Sequence, residues 1–278
     1  MEKHFYIVIA DVHGEAEELA LALSKSRAYI GDSKHTVVFL GDLIDRGGQE
    51  NEVLRIVEKE VADGAILITG NHDYFLIGTA QGSPKEARTW DINDGWNTCV
   101  RMFGLVEQKT IADLAKFRAY LQTRGKLRHE IEDACFRTTT SWEETIKDSW
   151  QYKLLSQGFL EWNTKRIYFC HAPQIDVKKA DKTVYDLTWG DWDTYVKGGE
   201  LDSQFRVPGN YRFAVHGHIH KLSMDITFPR IHIYKHGGTS KTVVLADAGC
   251  GCGTRLKGEL HPIILSETDI MTKIEAIL

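Results

Sequence analysis

Apolar and polar positions alternate along this chain in two distinct rhythms. Short runs of β-branched and aromatic residues each stop abruptly at polar ones: Phe5-Tyr6-Ile7-Val8-Ile9, Val37-Val38-Phe39-Leu40, Ala65-Ile66-Leu67-Ile68, Ile167-Tyr168-Phe169 and Phe213-Ala214-Val215. Near-continuous apolar runs of this length predict strands in a sheet covered on both faces. Between the first three lie Glu15 to Arg27 and Glu50 to Asp63, rich in Glu, Ala, Leu and Val, which predict helices. A β-α-β-α-β opening predicts a parallel core sheet. Further runs, Ile231-His232-Ile233-Tyr234, Val243-Val244-Leu245-Ala246 and Ile263-Ile264-Leu265, return the chain to strands near its end.

The rhythm changes from about residue 74 to about 160. This stretch holds Trp90, Trp96, Trp142 and Trp150, four of the seven tryptophans, and helix-period segments such as Ile111 to Leu121. It predicts a helical insertion or cap over the sheet, within one domain spanning 1–278. No internal repeat or low-complexity linker interrupts the chain.

Composition narrows the class. With 278 residues, 42% of them hydrophobic, the chain can bury a large core. A net charge of −5 argues against a nucleic-acid coat, because binding phosphate backbones needs a basic surface. No stable nucleic-acid complex is expected. The five cysteines (Cys99, Cys135, Cys170, Cys250, Cys252) are odd in number and lack disulfide-framework spacing. The start, Met-Glu-Lys-His, leads directly into a strand and has no secretory signature. No apolar run approaches the roughly 18 residues of a membrane span. The expectation is a reduced, cytoplasmic protein without a membrane partner.

The chemistry lies where the apolar runs stop. After the first comes Asp11-Val12-His13-Gly14, and after the second Gly41-Asp42-Leu43-Ile44-Asp45-Arg46-Gly47. Gly70-Asn71-His72-Asp73 follows the third, His171 the fourth, and His216-Gly217-His218-Ile219-His220 the fifth. Ligands of open α/β sheets bind at the carboxyl ends of strands, so these groups should converge on one edge. Extended residues i and i+2 share a face, so Asp11 and His13 can grip one ion, and His218 and His220 can aim together. Asp42 is placed to bridge two ions through its two oxygens. Imidazole, carboxylate and amide oxygen form a borderline-hard set suited to manganese, iron or zinc rather than calcium. No cysteine belongs to it. Any one fragment alone, such as Asp-x-His or a single strand-end histidine, would read as structural; the ordered set of five is what points to a site.

The ordered set Asp-x-His, Gly-Asp-x-x-Asp-Arg-Gly, Gly-Asn-His-Asp, a lone His and Gly-His-x-His resembles the calcineurin-like metallophosphoesterases. The Asp45-Arg46-Gly47 ending is similar to the serine/threonine protein phosphatases of bacteriophage-lambda and bacterial type, as are the Gly95-Trp96 region and Phe169-Cys170-His171-Ala172. The likeness covers the metal core well and residues 97 to 160 poorly. It implies a four-layer α/β/β/α sandwich carrying two divalent metal ions, with manganese the first choice and iron, zinc or nickel as alternatives. By that resemblance Asp11, His13, Asp42 and His220 would hold one ion. Asp42, Asn71, His171 and His218 would hold the other. Arg46 would grip phosphoryl oxygens through its planar fork. His72, oriented by Asp45, would be the general acid.

Several positions depart from that pattern. Ala10 replaces a glycine, Thr69 an arginine and Asp73 a glutamate, while His220 adds a histidine that the lambda-type enzymes lack. In Trp189-Gly190-Asp191 an acid stands where a second phosphate-binding arginine would be, leaving Arg206 and Arg212 as substitutes. The departures spare the metal centre and blur the substrate. The expected reaction is hydrolysis of phosphomonoesters, foremost protein phosphoserine and phosphothreonine, so the expected partner is a phosphorylated protein or a small phosphoester. The alternatives are a dinucleoside polyphosphate hydrolase, a nucleotide phosphodiesterase, and a catalytically dead binding module on the same scaffold. His216 is expected to be structural, and His232 and His236 to lie at an exposed loop end.

Overall fold

A computed structural model of the chain describes residues 3–103, 140–174, 183–190, 205–218, 230–247, 260–266 and 275–276. The chain divides into two compact units, Met1–Asp73 with Gln157–Leu278, and Tyr74–Ser156. The first unit holds two five-stranded sheets. One runs β10-β9-β1-β2-β3, built from β1 (His4–Ile9), β2 (Lys34–Phe39), β3 (Ile66–Leu67), β9 (Ile263–Ser266) and β10 (Glu275–Ala276). The other runs β4-β5-β6-β8-β7, from β4 (Glu161–Asn163), β5 (Ile167–Cys170), β6 (Phe213–His216), β7 (Arg230–His236) and β8 (Thr239–Leu245).

Alternation along each strand explains why there are two sheets. Tyr6, Val8 and Ala10 on one side join Val38, Leu40, Ile68, Ile263 and Leu265. From the other sheet come Ile167, Phe169, Phe213, Val215, Val244 and Ala246, all in one buried cluster. These are every-second residues, so each strand gives one row of side chains to the space between the sheets. The opposite rows also need covering. Helix α1 (Ala16–Ile30) packs against β1 and against α2 (Glu50–Ala62). It buries Leu19, Ala22, Leu23 and Ser26 at helical spacing, and α2 buries Val53, Leu54 and Val57. An Arg27–Glu60 ion pair of 2.6 Å links the two helices. On the far side Tyr168, Cys170, Ala214, Val243 and Leu245 pack with Phe205, Val207 and Leu187, the last on the short helix Val184–Thr188. The result is the four-layer α/β/β/α sandwich.

The parallel pairing expected of the first three strands is present, joining β1 to β2 and β2 to β3. Strands β5, β6 and β8 form a second parallel group in the other sheet. Both faces of each group are buried, so the near-continuous apolar pattern could not say which strands share a sheet. His236 closes β7 instead of lying in a loop, and Gly237 and Gly238 turn the chain into β8.

The second unit contains α3 (Asn71–Ala80, which begins at the end of the first unit), α4 (Pro84–Ile92), α5 (Gly95–Phe103), α6 (Thr140–Asp148) and α7 (Trp150–Leu155). Trp90, Met102, Ile146, Leu154 and Leu155 are buried. The helix expected from Ile111 to Leu121 lies outside the described residues. Among the described residues no helix is long and apolar enough to cross a membrane.

Candidate metal centre

Register brings the motifs level. Ile9 pairs with Phe39 and Phe39 with Leu67, so β1, β2 and β3 end together and their next residues form one ledge. In the other sheet Phe169 pairs with Val215 and Val215 with Val244, so His171, the His216–His218 turn and Asp247 form a facing ledge. Helices follow the first ledge at Ala16, Glu50 and Asn71.

Backbone conformation there is unusual. Among the described residues seven non-glycines have positive φ, and six of them are Asp11, His13, Asp42, Asp45, Arg46 and His218, at 48° to 73°. Left-handed backbone costs an L-residue about 1 kcal/mol or more, and a cluster of such residues is typical of a site where side-chain aim outweighs local comfort. Backbone bonds hold the shape: His13 N–H donates to Asp42 O at 2.9 Å, Gly47 N–H to His13 O at 2.8 Å, and Gly217 N–H to His171 O at 2.9 Å. Close approach requires glycine at several of these positions, Gly70 and Gly217 among them. A Cβ on Gly70 would strike the Asp42 carboxylate and amide, and one on Gly217 would strike the Asp11 carboxylate.

The side chains converge in two buried clusters that share a member. The donor atoms of His13, Asp42 and His72 lie within 4.8 Å of one another, and so do those of Asp42, His171 and His218. His171 Nε2 is 3.0 Å from Asn71 Oδ1, 3.2 Å from His218 Nδ1 and 3.5 Å from Asp42 Oδ1. Asp11 accepts the His218 backbone N–H at 3.0 Å. Arg46 reaches both sides, with one guanidinium nitrogen 2.8 Å from His13 Nε2 and the other 3.1 Å from His72 Nε2. His72 Nδ1 lies 2.5 Å from Asp45 Oδ2. Of the ten residues expected at the site, nine are described and all nine gather here; His220 lies outside the described residues.

The donor set fits a pair of divalent ions. His13 Nδ1 donates to Ile44 O at 3.0 Å and His171 Nδ1 to Leu40 O at 2.6 Å. A carbonyl can only accept, so Nδ1 carries a proton and Nε2 is the nitrogen turned to the centre, the one from which a metal-ligating histidine would coordinate. Electrostatics agree. Burial favours neutral His171, yet Asp42 and Asp11 outweigh it and push the ring's pKa up to about 10. Burial alone would raise Asp42, but His171 and His72 hold its carboxyl well below the usual range. This is a negative well that holds a proton where a cation would sit. Burial, with His72 adding to it, keeps His13 well below its ordinary value and therefore neutral.

Two further carboxylates take part to which the sequence pattern assigned no role. Asp73 accepts from Asp42 N at 2.8 Å, Leu43 N at 3.0 Å and Gly70 N at 3.0 Å, tying the second and third motif loops together. Burial and the Asp42 charge raise its pKa to about 6 despite those bonds. Asp247, 7% exposed, lies near Asp11; burial lifts the Asp11 carboxyl well above its usual range and Asp247 pushes the same way. The signal was present: Asp247 directly follows the apolar run that forms β8. His216, fully buried, donates from Nδ1 to Cys170 O at 3.0 Å, bridging neighbouring strands. Arg212 precedes β6 and so sits at the opposite end of the strand from the centre, while Arg206 lies over the Tyr234 ring at 5.1 Å. Cys250 and Cys252 lie outside the described residues.

Comparisons with known proteins bear on the same region. The family described as calcineurin-like phosphoesterase matches residues 6–222. The chain is similar to the asymmetrical bis(5'-nucleosyl)-tetraphosphatase PrpE of Bacillus velezensis, 35% identical over 86 residues, 28% of this chain and 34% of that protein. It is also similar to the symmetrical bis(5'-nucleosyl)-tetraphosphatase of Escherichia coli, 38% identical over 86 residues, 30% of each. The match thus spans about a third of each relative's length. A solved metallophosphoesterase from Sphaerobacter thermophilus shares the fold, with a TM-score of 0.50 and 12% identity over 96% of this chain and 85% of that one.

Proposed function

The chain belongs to the calcineurin-like phosphoesterases, and from that premise we propose that it hydrolyses the phosphoanhydride chain of a dinucleoside polyphosphate at the centre described above. The observation that carries the reading is the Arg46 fork. Its two nitrogens span the interval between a metal-binding histidine, His13, and the candidate acid, His72. A phosphoryl group seated there meets a cationic bidentate donor, with a proton source at its leaving side. The choice of a polyphosphate rests on the names of the two tetraphosphatase relatives.

When bound, two divalent ions supply Lewis acidity, lowering the pKa of water toward about 7 and neutralising phosphoryl charge. Asp11, His13 and Asp42 would hold one ion and Asp42, Asn71, His171 and His218 the other, with His220 the expected fourth ligand of the first. Manganese suits this mixed nitrogen and oxygen set. Asp45 holds the His72 ring by Nδ1, and Nε2, which faces Arg46, would pass a proton to the departing phosphate oxygen as the P–O bond breaks once the phosphoryl group has drawn Arg46 to itself. Arg46 keeps the phosphoryl oxygens in place while water adds from the opposite side. Burial of the carboxylates, Asn71 and the imidazoles, beside a half-buried Arg46, limits bulk solvent and strengthens each of these interactions.

A second reading, hydrolysis of phosphoserine and phosphothreonine monoesters, is favoured by the Asp45-Arg46-Gly47 and Gly-Asn-His-Asp segments. Manganese-loaded protein should be offered diadenosine tetraphosphate, a phosphoserine peptide and bis-nitrophenyl phosphate side by side. Highest kcat/KM on the dinucleotide supports the proposal. Preference for the peptide establishes the second reading in its place, and preference for the diester makes the chain a phosphodiesterase.

A further inference from the structure

Beside the metal centre stands an aromatic ladder that the hydrolytic chemistry does not use. Trp189 presents an edge-to-face contact to the candidate ligand His218, with ring centroids 5.7 Å apart at 73°. Tyr185 stacks on Trp189 at 6.1 Å and 16°. The rings therefore run outward in order, His218, Trp189, Tyr185. Trp189 is half-buried and Tyr185 keeps 48% of its surface exposed. Tyr185, two ring contacts from the candidate ligand His218, is thus the more exposed of the two rings.

The ladder is rigidly mounted. Both rings ride on α8 (Val184–Thr188) and its C-cap, four residues apart, so they fall on one helical face. A reciprocal capping box between Thr183 and Asp186 fixes the start of the helix. Its end is tied to the loop that carries His171: Ala172 N–H donates to Leu187 O at 3.0 Å, and Gln174 Nε2 donates to Asp186 O at 3.1 Å. Leu187 and Thr188 are buried beneath it. Gly190, directly after Trp189, has φ +62°. A five-residue helix has little stability of its own. This one is held by its cap and by the same loop that positions a metal-ligating imidazole, which gives the preorganisation a binding platform needs.

We propose that Tyr185 and Trp189 form the platform on which a nucleobase of the substrate stacks while its phosphate chain lies at the metal centre. Every base offers a π face, so such a platform selects for the presence of a base and is tolerant of which one. This rests on the reading of the chain as a dinucleoside polyphosphate hydrolase, and it names the residues that would distinguish such a substrate from a phosphopeptide.

The test uses the full manganese-loaded chain as wild type, Tyr185→Ala, Tyr185→Phe and Trp189→Ala. Calorimetric affinities for adenosine 5'-monophosphate and for inorganic phosphate are measured together with KM for diadenosine tetraphosphate. The expected result is that Tyr185→Ala lowers the ratio of nucleotide to phosphate affinity roughly tenfold and raises KM to a similar degree. Tyr185→Phe, which keeps the ring, should restore both. Trp189→Ala, which also loses the contact with His218, should lower the same ratio. An unchanged ratio in Tyr185→Ala, or equal loss of nucleotide and phosphate binding, overturns the platform. If the wild type leaves the dinucleotide intact, the proposed function fails by itself. The platform is then judged by the binding ratio alone: a base-dependent preference lost in Tyr185→Ala upholds it, and no preference in the wild type removes it.

Discussion

The two ledges of the candidate metal centre are built by different means. The ledge after β1, β2 and β3 is a lattice of backbone bonds. Its loops donate to one another, Asp73 clamps three amides, and five of its residues take left-handed backbone. The ledge after β5 and β6 is a set of imidazoles. His171 and His216 are each fixed by one carbonyl, and His218 is steadied by its backbone bond to Asp11 and its contact with Trp189. The first is rigid because the chain bonds to itself across its loops. The second is aimed by contacts among its own candidate ligands, His171 with Asn71 and His218, and should depend more on what it binds.

The largest effect should come from the residue common to both clusters. Asp42→Ala should lose both ions and bring activity to background, with metal content read by elemental analysis. Retention of two ions with only a modest rate loss would mean that Asp42 is not the bridge between the ledges. His72→Ala should lower kcat by about 10²–10⁴ on a substrate with a poor leaving group. Its metal content should stay at the wild-type level, separating the acid from the ligands. Parallel loss of metal would move His72 into the ligand set, since its ring nitrogen belongs to one of the clusters.

Asp73→Ala tests the lattice itself. It strips the partner from three buried amides, which should cost about 3 kcal/mol of stability and about 10–100-fold in metal affinity. Denaturant unfolding and metal titration read the two quantities. A variant with wild-type stability would show that the first ledge does not rely on this clamp. The smallest effect is expected from chelation. Removing the ions should lower Tm by several degrees, by loss of ligand-linked stability. Hydrogen exchange should then quicken more at the amides of Ala172 and Gly217 than at those of His13 and Gly47. Equal change at both would erase the distinction between the ledges.

Local signals in the chain had already located most of this. Short apolar runs marked the strands, and their abrupt ends marked Asp11, His13, Asp42, Asp45, Arg46, Asn71, His72, His171 and His218. Period-two and period-3.6 patterns report burial of one face or one stripe, a property of each segment alone. Asp73 was visible as a letter but not as a clamp, because its role lies in accepting amides 30 and 31 residues away.

Tertiary structure decided the remainder. It split the parallel strands between two sheets, since strands buried on both faces carry no mark of their neighbour. It set the register that levels the strand ends, chose the Nδ1 proton on His13 and His171 through carbonyls 31 and 131 residues distant, and laid Trp189 against His218. The sequence by itself determined which groups could do the chemistry, because residue type and strand-end position are local. Their aim was decided only by the packed structure, because aim depends on partners far away in the chain.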